Sequence, residues 1–213
     1  MKKYIAEFIG TFALVFCGTG AVIVNSLSNG SLGLIGISMV FGIIITTMIY
    51  IFGNISGTHI NPAVTIALAV GKLMLKNEVV RYILAQILGA FLASGLLYFV
   101  FPETKALGET LPSGGIIPSF ILEIVLTFFL MLTILGITSK NEHSHLAGIV
   151  IGVFVVGAIL IAGPISGGSF NPARSIAPAL ISGDFYPLWI CITAPIIGSI
   201  FAMLLWVYIN KEK

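Results

Sequence analysis

The chain has 213 residues, of which 58% are hydrophobic and only 8% charged, with a mean hydropathy of +1.12. Soluble domains carry about 25% charged residues, so the composition excludes one and indicates an integral membrane protein. A net charge of +2 without any basic run excludes nucleic acid as a partner.

The first apolar run, 4–24, follows Met1-Lys2-Lys3. It is long enough to span a bilayer and contains Glu7, which the core of a secretion signal avoids; Cys17 follows Phe16 rather than a small residue, against a lipoprotein cleavage site. The run therefore reads as a span. A second span covers 34–52. The stretch Ser56-Gly57-Thr58-His59-Ile60-Asn61-Pro62-Ala63-Val64-Thr65 comes next. Asn is a good helix N-cap, and Pro suits the first helical position, where an N–H would be unpaired anyway. The apolar run behind it, Pro62–Val70, spans about 13 Å at 1.5 Å per residue, less than half of a hydrocarbon core about 30 Å thick. It is a half-helix. A third span covers 81–100, the loop 101–117 joins the two halves, and further spans follow at 119–137 and 146–165. Then the device returns, 110 residues later, as Ser166-Gly167-Gly168-Ser169-Phe170-Asn171-Pro172-Ala173-Arg174-Ser175. Its half-helix is 172–180, and a sixth span covers 188–209.

One Asn-Pro is a turn starter; two in matching contexts are a built device. The repeat also matches Glu7, Thr11 and Phe12 with Glu123, Thr127 and Phe128, and Ala85, Gly89 and Ala93 with Ala194, Gly198 and Ala202. Halves of three spans each have opposite topology, so this is an inverted repeat, with halves about 1–105 and 115–213 of one channel domain. Such repeats place their site where broken helices meet. The fold class is thus an all-α membrane protein of six transmembrane helices and two re-entrant half-helices. The small residues every fourth position, and Gly148, Gly152 and Gly157 in the fifth span, read as helix-packing faces. Cys17 and Cys191 lie in apolar segments and read as small buried hydrophobes.

Charges fall almost entirely between spans. Lys2, Lys3, Lys72, Lys76, Arg81, Lys140, Lys211 and Lys213 share one side and Lys105 lies on the other, which by the positive-inside rule makes both termini cytoplasmic. The first loop then enters from the cytoplasm and the second from outside. Ionisable groups within the membrane are Glu7, Glu123, Arg174 and His59, each in need of a partner or water. Glu7 and Glu123 are repeat mates and suit the acceptance of hydrogen bonds from loop N–H groups that would otherwise go unsatisfied at that depth. His59 is read as pore-lining. His143 and His145 fall in a cytoplasmic loop, and the three histidines have no metal spacing. No Walker loop, HExxH or Gly-x-Ser-x-Gly occurs.

With both Asn-Pro-Ala motifs (Asn61, Pro62, Ala63 and Asn171, Pro172, Ala173), Arg174 directly after the second, and the Glu7–Glu123 pair, the chain resembles the aquaporin family, or major intrinsic proteins, in a prokaryotic-type form. The resemblance covers essentially the whole chain. It implies a plasma-membrane homotetramer with one pore per subunit and no cofactor, whose partners are water, small neutral solutes and membrane lipids, with protons excluded. Convergent half-helix dipoles and the Asn61 and Asn171 amides would repel cations there, an effect for which the aquaporin pore is itself the standard example. By distance from the motifs, the family's extracellular filter falls on Phe41, Ile159, Gly168 and Arg174. Strict water channels place His at the Ile159 position. Glycerol facilitators place Trp at Phe41 and an aromatic at Gly168, and follow the arginine with Asp, where Ser175 stands. The aliphatic and small pair looks like archaeal water channels and plant channels for uncharged metalloid acids. Cys191 and Ile192 replace an aromatic pair common in water-specific members. The filter implies passage of water and of small neutral solutes such as glycerol, urea or neutral metalloid acids. The rival reading is a secondary transporter, also built on inverted repeats, for which His59 is the one titratable candidate. An intramembrane enzyme ranks behind it, for want of a nucleophile–base pair.

Overall fold

A computed structural model describes residues 1–139 and 141–211. Lys140 and Lys213, counted above among the basic residues of one side, lie outside the described residues. In chain order the helices are α1 (Lys2–Leu27), α2 (Gly33–Ser56), α3 (Pro62–Val70), α4 (Lys76–Val100), α5 (Ile116–Thr138), α6 (Asn141–Ser144), α7 (Ala147–Ser166), α8 (Pro172–Ser182) and α9 (Leu188–Ile209). Six of them are long and apolar enough to cross a membrane. In hydrocarbon a helix satisfies its own backbone, which is why apolar runs of this length take this form.

Helix ends depart from the apolar runs for identifiable reasons. α2 continues past residue 52 to Ser56, and both it and α7 stop at a left-handed glycine, Gly57 (φ 82°) and Gly167 (φ 83°). Only glycine takes that conformation without penalty, so it is a natural helix terminator. α8 likewise runs past 180 to Ser182 and ends at Gly183. α4 begins at Lys76, five residues before the apolar run, because its polar first turn carries Glu78 at the positive end of the helix dipole. The short α6 has no hydropathy signature and was not foreseen.

α1 packs on α4 and α2, and α5 packs on α9 and α7. At Gly89 a Cβ would run into the Phe8 carbonyl and the Phe12 amide of α1; at Gly198 it would meet the Ile124 carbonyl and the Phe128 amide of α5. These are the same crossing in each half. The α2–α7 seam is equally close. Gly148 and Gly152 lie on Thr46, whose hydroxyl donates to the Gly148 carbonyl at 3.0 Å. Gly157 does not belong to that face: nothing lies within 4 Å of a Cβ there. Five residues beyond Gly152, it is turned well round the helix. Cys191 is buried, but Cys17 is only half-buried, so the burial expected of both cysteines holds for one.

The loop after α4 does more than connect. Leu107 is fully buried against Ile23 and Leu97, and Thr110 is buried too. The segment 107–110 is thereby drawn inward and meets the second re-entrant loop.

Candidate functional site

Asn61 and Asn171 cap α3 and α8 with their side-chain oxygens, accepting from the Ala63 and Ala173 amides at 2.9 and 3.0 Å. Each side-chain nitrogen crosses to the opposite loop. Asn61 Nδ2 donates to the Phe170 carbonyl at 2.8 Å, and Asn171 Nδ2 donates to the Ile60 carbonyl at 2.7 Å. An amide NH₂ has two donor hydrogens, so this clasp uses one from each asparagine and leaves one for the space between.

The loop backbones hang on two fully buried carboxylates. Glu7 Oε1 accepts from the Ser56 hydroxyl at 2.7 Å and the His59 amide at 2.8 Å; Oε2 accepts from the Ile60 amide and from Gln86 Nε2, both at 2.7 Å. Glu123 Oε1 accepts from the Ser166 hydroxyl at 2.7 Å and the Ser169 amide at 2.8 Å; Oε2 accepts from the Phe170 amide at 2.8 Å. The Thr58 and Gly168 amides complete the set by donating to Ser56 and Ser166 Oγ. Three consecutive N–H groups per loop are therefore turned to one side. Alternate residues achieve this with positive φ, including Thr58 (47°), Ile60 (42°) and Phe170 (51°), a conformation side chains rarely adopt. Many charge-assisted bonds hold that strain in place.

A cavity of about 650 Å³ runs between the halves. Phe41, His59, Asn61, Ile159, Gly168, Asn171 and Arg174 all line it; Glu7, Glu123 and the two prolines stand behind the wall. Tyr50, Asn54, Thr138 and His145 form its mouth on the side of the termini. Placing His145 only in a loop missed this, because no periodicity tells which way a loop residue is brought. His59 Nδ1 lies 3.1 Å from Thr65 Oγ1, and its ring leans on Tyr82 at 4.9 Å between centroids.

At the other end Arg174 is 97% buried, being 3% exposed. Its Nη1 donates to the Gly108 carbonyl at 2.7 Å, its guanidinium carbon lies 5.2 Å from the centre of the Phe41 ring, and its Nε has no protein partner. Phe41 can sit there because Gly18 is behind it: a Cβ on Gly18 would collide with the ring. A Cβ at Gly168 would lie 3.6 Å from Ile159 Cγ1, so these two positions adjoin across the passage. Behind Arg174, hydroxyls chain from Thr110 to Ser175 and from Ser175 to Ser169, each step 2.7 Å. Thr110 and Gly108 are the partners that sequence reasoning missed. They lie 65 and 66 residues from the groups they touch, in a stretch with no repeat partner.

Among the described residues no group of three or more His, Cys, Asp or Glu could hold a metal ion. The model of the major intrinsic protein family matches residues 1–206. The chain is 42% identical over 202 residues to aquaporin NIP1-1 of Zea mays, covering 94% of this chain and 72% of that protein. It is 39% identical over 210 residues to nodulin-26 of Glycine max, covering 98% and 77%. Its fold is similar to the X-ray structure of the aquaglyceroporin from Plasmodium falciparum, with a TM-score of 0.88 and 25% identity over 96% of this chain and 94% of that one.

Proposed function

Because the chain belongs to the major intrinsic protein family, we propose that it is a passive pore for water and at least one small uncharged solute, such as glycerol, urea or a neutral metalloid acid, that excludes protons and ions. The observation that carries this reading is the end of the cavity lined by Arg174. Arg174 supplies a fixed positive charge there, Phe41 and Ile159 form an apolar corner, and Gly168 adds no side chain. A guanidinium is charged at any working pH. It repels cations and offers a donor to a solute oxygen, while the corner takes the solute's carbon face. Removing the polar ring that a water-strict filter would put at Ile159 widens the passage and lowers the density of sites for water.

Midway, Asn61 and Asn171 each keep one N–H for a passing oxygen, and the positive ends of α3 and α8 converge on the same place. With its N–H groups held by Glu7 or Glu123, each loop has its carbonyl edge left for the passage. His59 lines the wall on the side of the termini. The lysine bias supports both termini in the cytoplasm. The family resemblance supports a homotetramer in the plasma membrane with one pore per chain.

Swelling of proteoliposomes in water, glycerol, urea and a neutral metalloid acid tests the reading. Water flux should rise above that of empty vesicles, and so should the flux of at least one solute, linearly in the gradient. Water without any of the three solutes would leave a plain water channel; saturation at low gradient would indicate a carrier.

A further inference from the structure

We propose that the notch between α3 and α4 seats one anionic phospholipid, with its phosphate between Lys72 and Lys76 and an acyl chain on Ile66, Ala69, Val70 and Val79. A nine-residue helix beside one of 25 residues cannot cover its neighbour, and the gap left at their shared turn is a cavity of about 310 Å³ lined by those six side chains. Four are apolar and two are cations. That is the chemistry of a lipid chain ending in a negative headgroup.

The turn itself is built for the lipid boundary. Leu73 is 63% and Leu75 70% exposed, flanked by the exposed Lys72 and Lys76. Leucines left outward belong in hydrocarbon, while lysine stems run along apolar surface and lift the ammonium to headgroup level. The backbone is fixed: the Gly71 amide donates to the Ala67 carbonyl at 3.0 Å, Lys72 to Ala69 at 3.2 Å and Leu73 to Leu68 at 2.9 Å. The nearby carboxylate does not neutralise the pair. Glu78 is taken by Lys3 at 2.6 Å and by the Tyr4 hydroxyl at 2.7 Å, and among the described residues neither lysine has an acidic partner.

Charge decides the occupant. A soluble anion would leave the apolar lining unused, and a choline headgroup would bring an ammonium against two lysines. The other half of the repeat supplies a contrast, since the turn after α8, Gly183-Asp184-Phe185-Tyr186-Pro187, has no cation and one carboxylate. Anion binding is thus confined to the face that carries the termini.

The test is native mass spectrometry of the detergent-purified full chain, with phosphatidylglycerol and phosphatidylcholine in equal amounts. A lysine near an anionic headgroup contributes a factor of about five, so one lipid per chain should be retained with a preference of about thirtyfold for phosphatidylglycerol. Lys72→Gln with Lys76→Gln should abolish the preference; both side chains are exposed, so folding is undisturbed. Lys105→Gln, on the opposite side, should leave it intact. The proposal fails if the wild type shows no preference, if the double variant keeps it, or if Lys105→Gln lowers it equally, which would mean diffuse charge. It fails also if soluble glycerol phosphate competes as well as the whole lipid, which would mean the notch holds only the phosphate. None of these outcomes depends on what the pore conducts.

Discussion

The two re-entrant loops solve the same problem with different neighbours. In both, a buried glutamate gathers one serine hydroxyl and two backbone amides. In the first half Gln86 adds a fourth donor and also reaches Thr65 Oγ1 at 3.0 Å, while Tyr82 donates to the Ser56 carbonyl at 2.9 Å. In the second half, Pro195 stands where the repeat has Gln86 and Cys191 where it has Tyr82. The room vacated by the tyrosine is taken by the incoming loop, whose Thr110 joins the Ser169–Ser175 pair. That pair corresponds to His59–Thr65. Lastly, Val64 corresponds to Arg174. The first half is braced by side chains of its own helices. The second is braced by backbone and hydroxyls of a distant loop, and spends that freedom on holding a charge.

The largest expected effect comes from removing what the halves share. Glu7→Leu or Glu123→Leu orphans two buried backbone amides, at about 1–3 kcal/mol each, and should sharply lower the unfolding temperature in detergent. Glu7→Leu should be the worse, because Gln86 also loses a partner; equal losses would mean that the fourth bond adds nothing. Replacement by Gln should recover much of the stability, since an amide oxygen still accepts.

Next comes removal of what they do not share. Arg174→Val makes the second half resemble the first. Water should still flow, while proton entry after a pH step across proteoliposomes rises, and the Gly108 carbonyl loses its donor. An unchanged proton leak at equal protein content would assign exclusion to the helix ends alone.

A third change borrows a residue from the opposite loop. Gly168 has φ +63°, where a β-branched side chain is normally strained, yet its mate Thr58 sits at φ 47°. Gly168→Thr with Ile159→His should therefore fold, narrow the filter, and reduce glycerol or urea flux more than water flux. Equal reduction of both would show general obstruction instead.

The smallest effect is expected from Thr110→Val, which breaks the hydroxyl chain behind Arg174 at about 1 kcal/mol. A shift in the solute-to-water flux ratio, restored by Thr110→Ser, would show that the chain positions the arginine. An unchanged ratio with only a lower unfolding temperature would make it purely a support.

The contrast between the loops also separates what could be read from the chain from what could not. Spans, half-helices and the pairing of the halves follow from hydropathy, two Asn-Pro caps and matched residues, all of which are local signals. The stops at Gly57 and Gly167 were equally legible, since glycine at a helix end has a conformational reason, but hydropathy placed the first of them too early. Gly108, Thr110 and His145 were not legible. They lie in segments without periodicity, and their partners are supplied only when the halves close on one another. Gly157 failed for a different reason: a count of small residues ignores the turn of the helix between them.

Gly18 does not line the passage, yet the Phe41 ring that does line it rests directly on Gly18. Because the Phe41 ring occupies the volume where a Cβ would stand, any larger residue there would shove the ring forward, toward Arg174. The bore of this protein is thus adjusted from the far side of its own lining, by a screw set one helix back. A single methyl added out of reach of every solute would throttle traffic while leaving each filter residue unchanged.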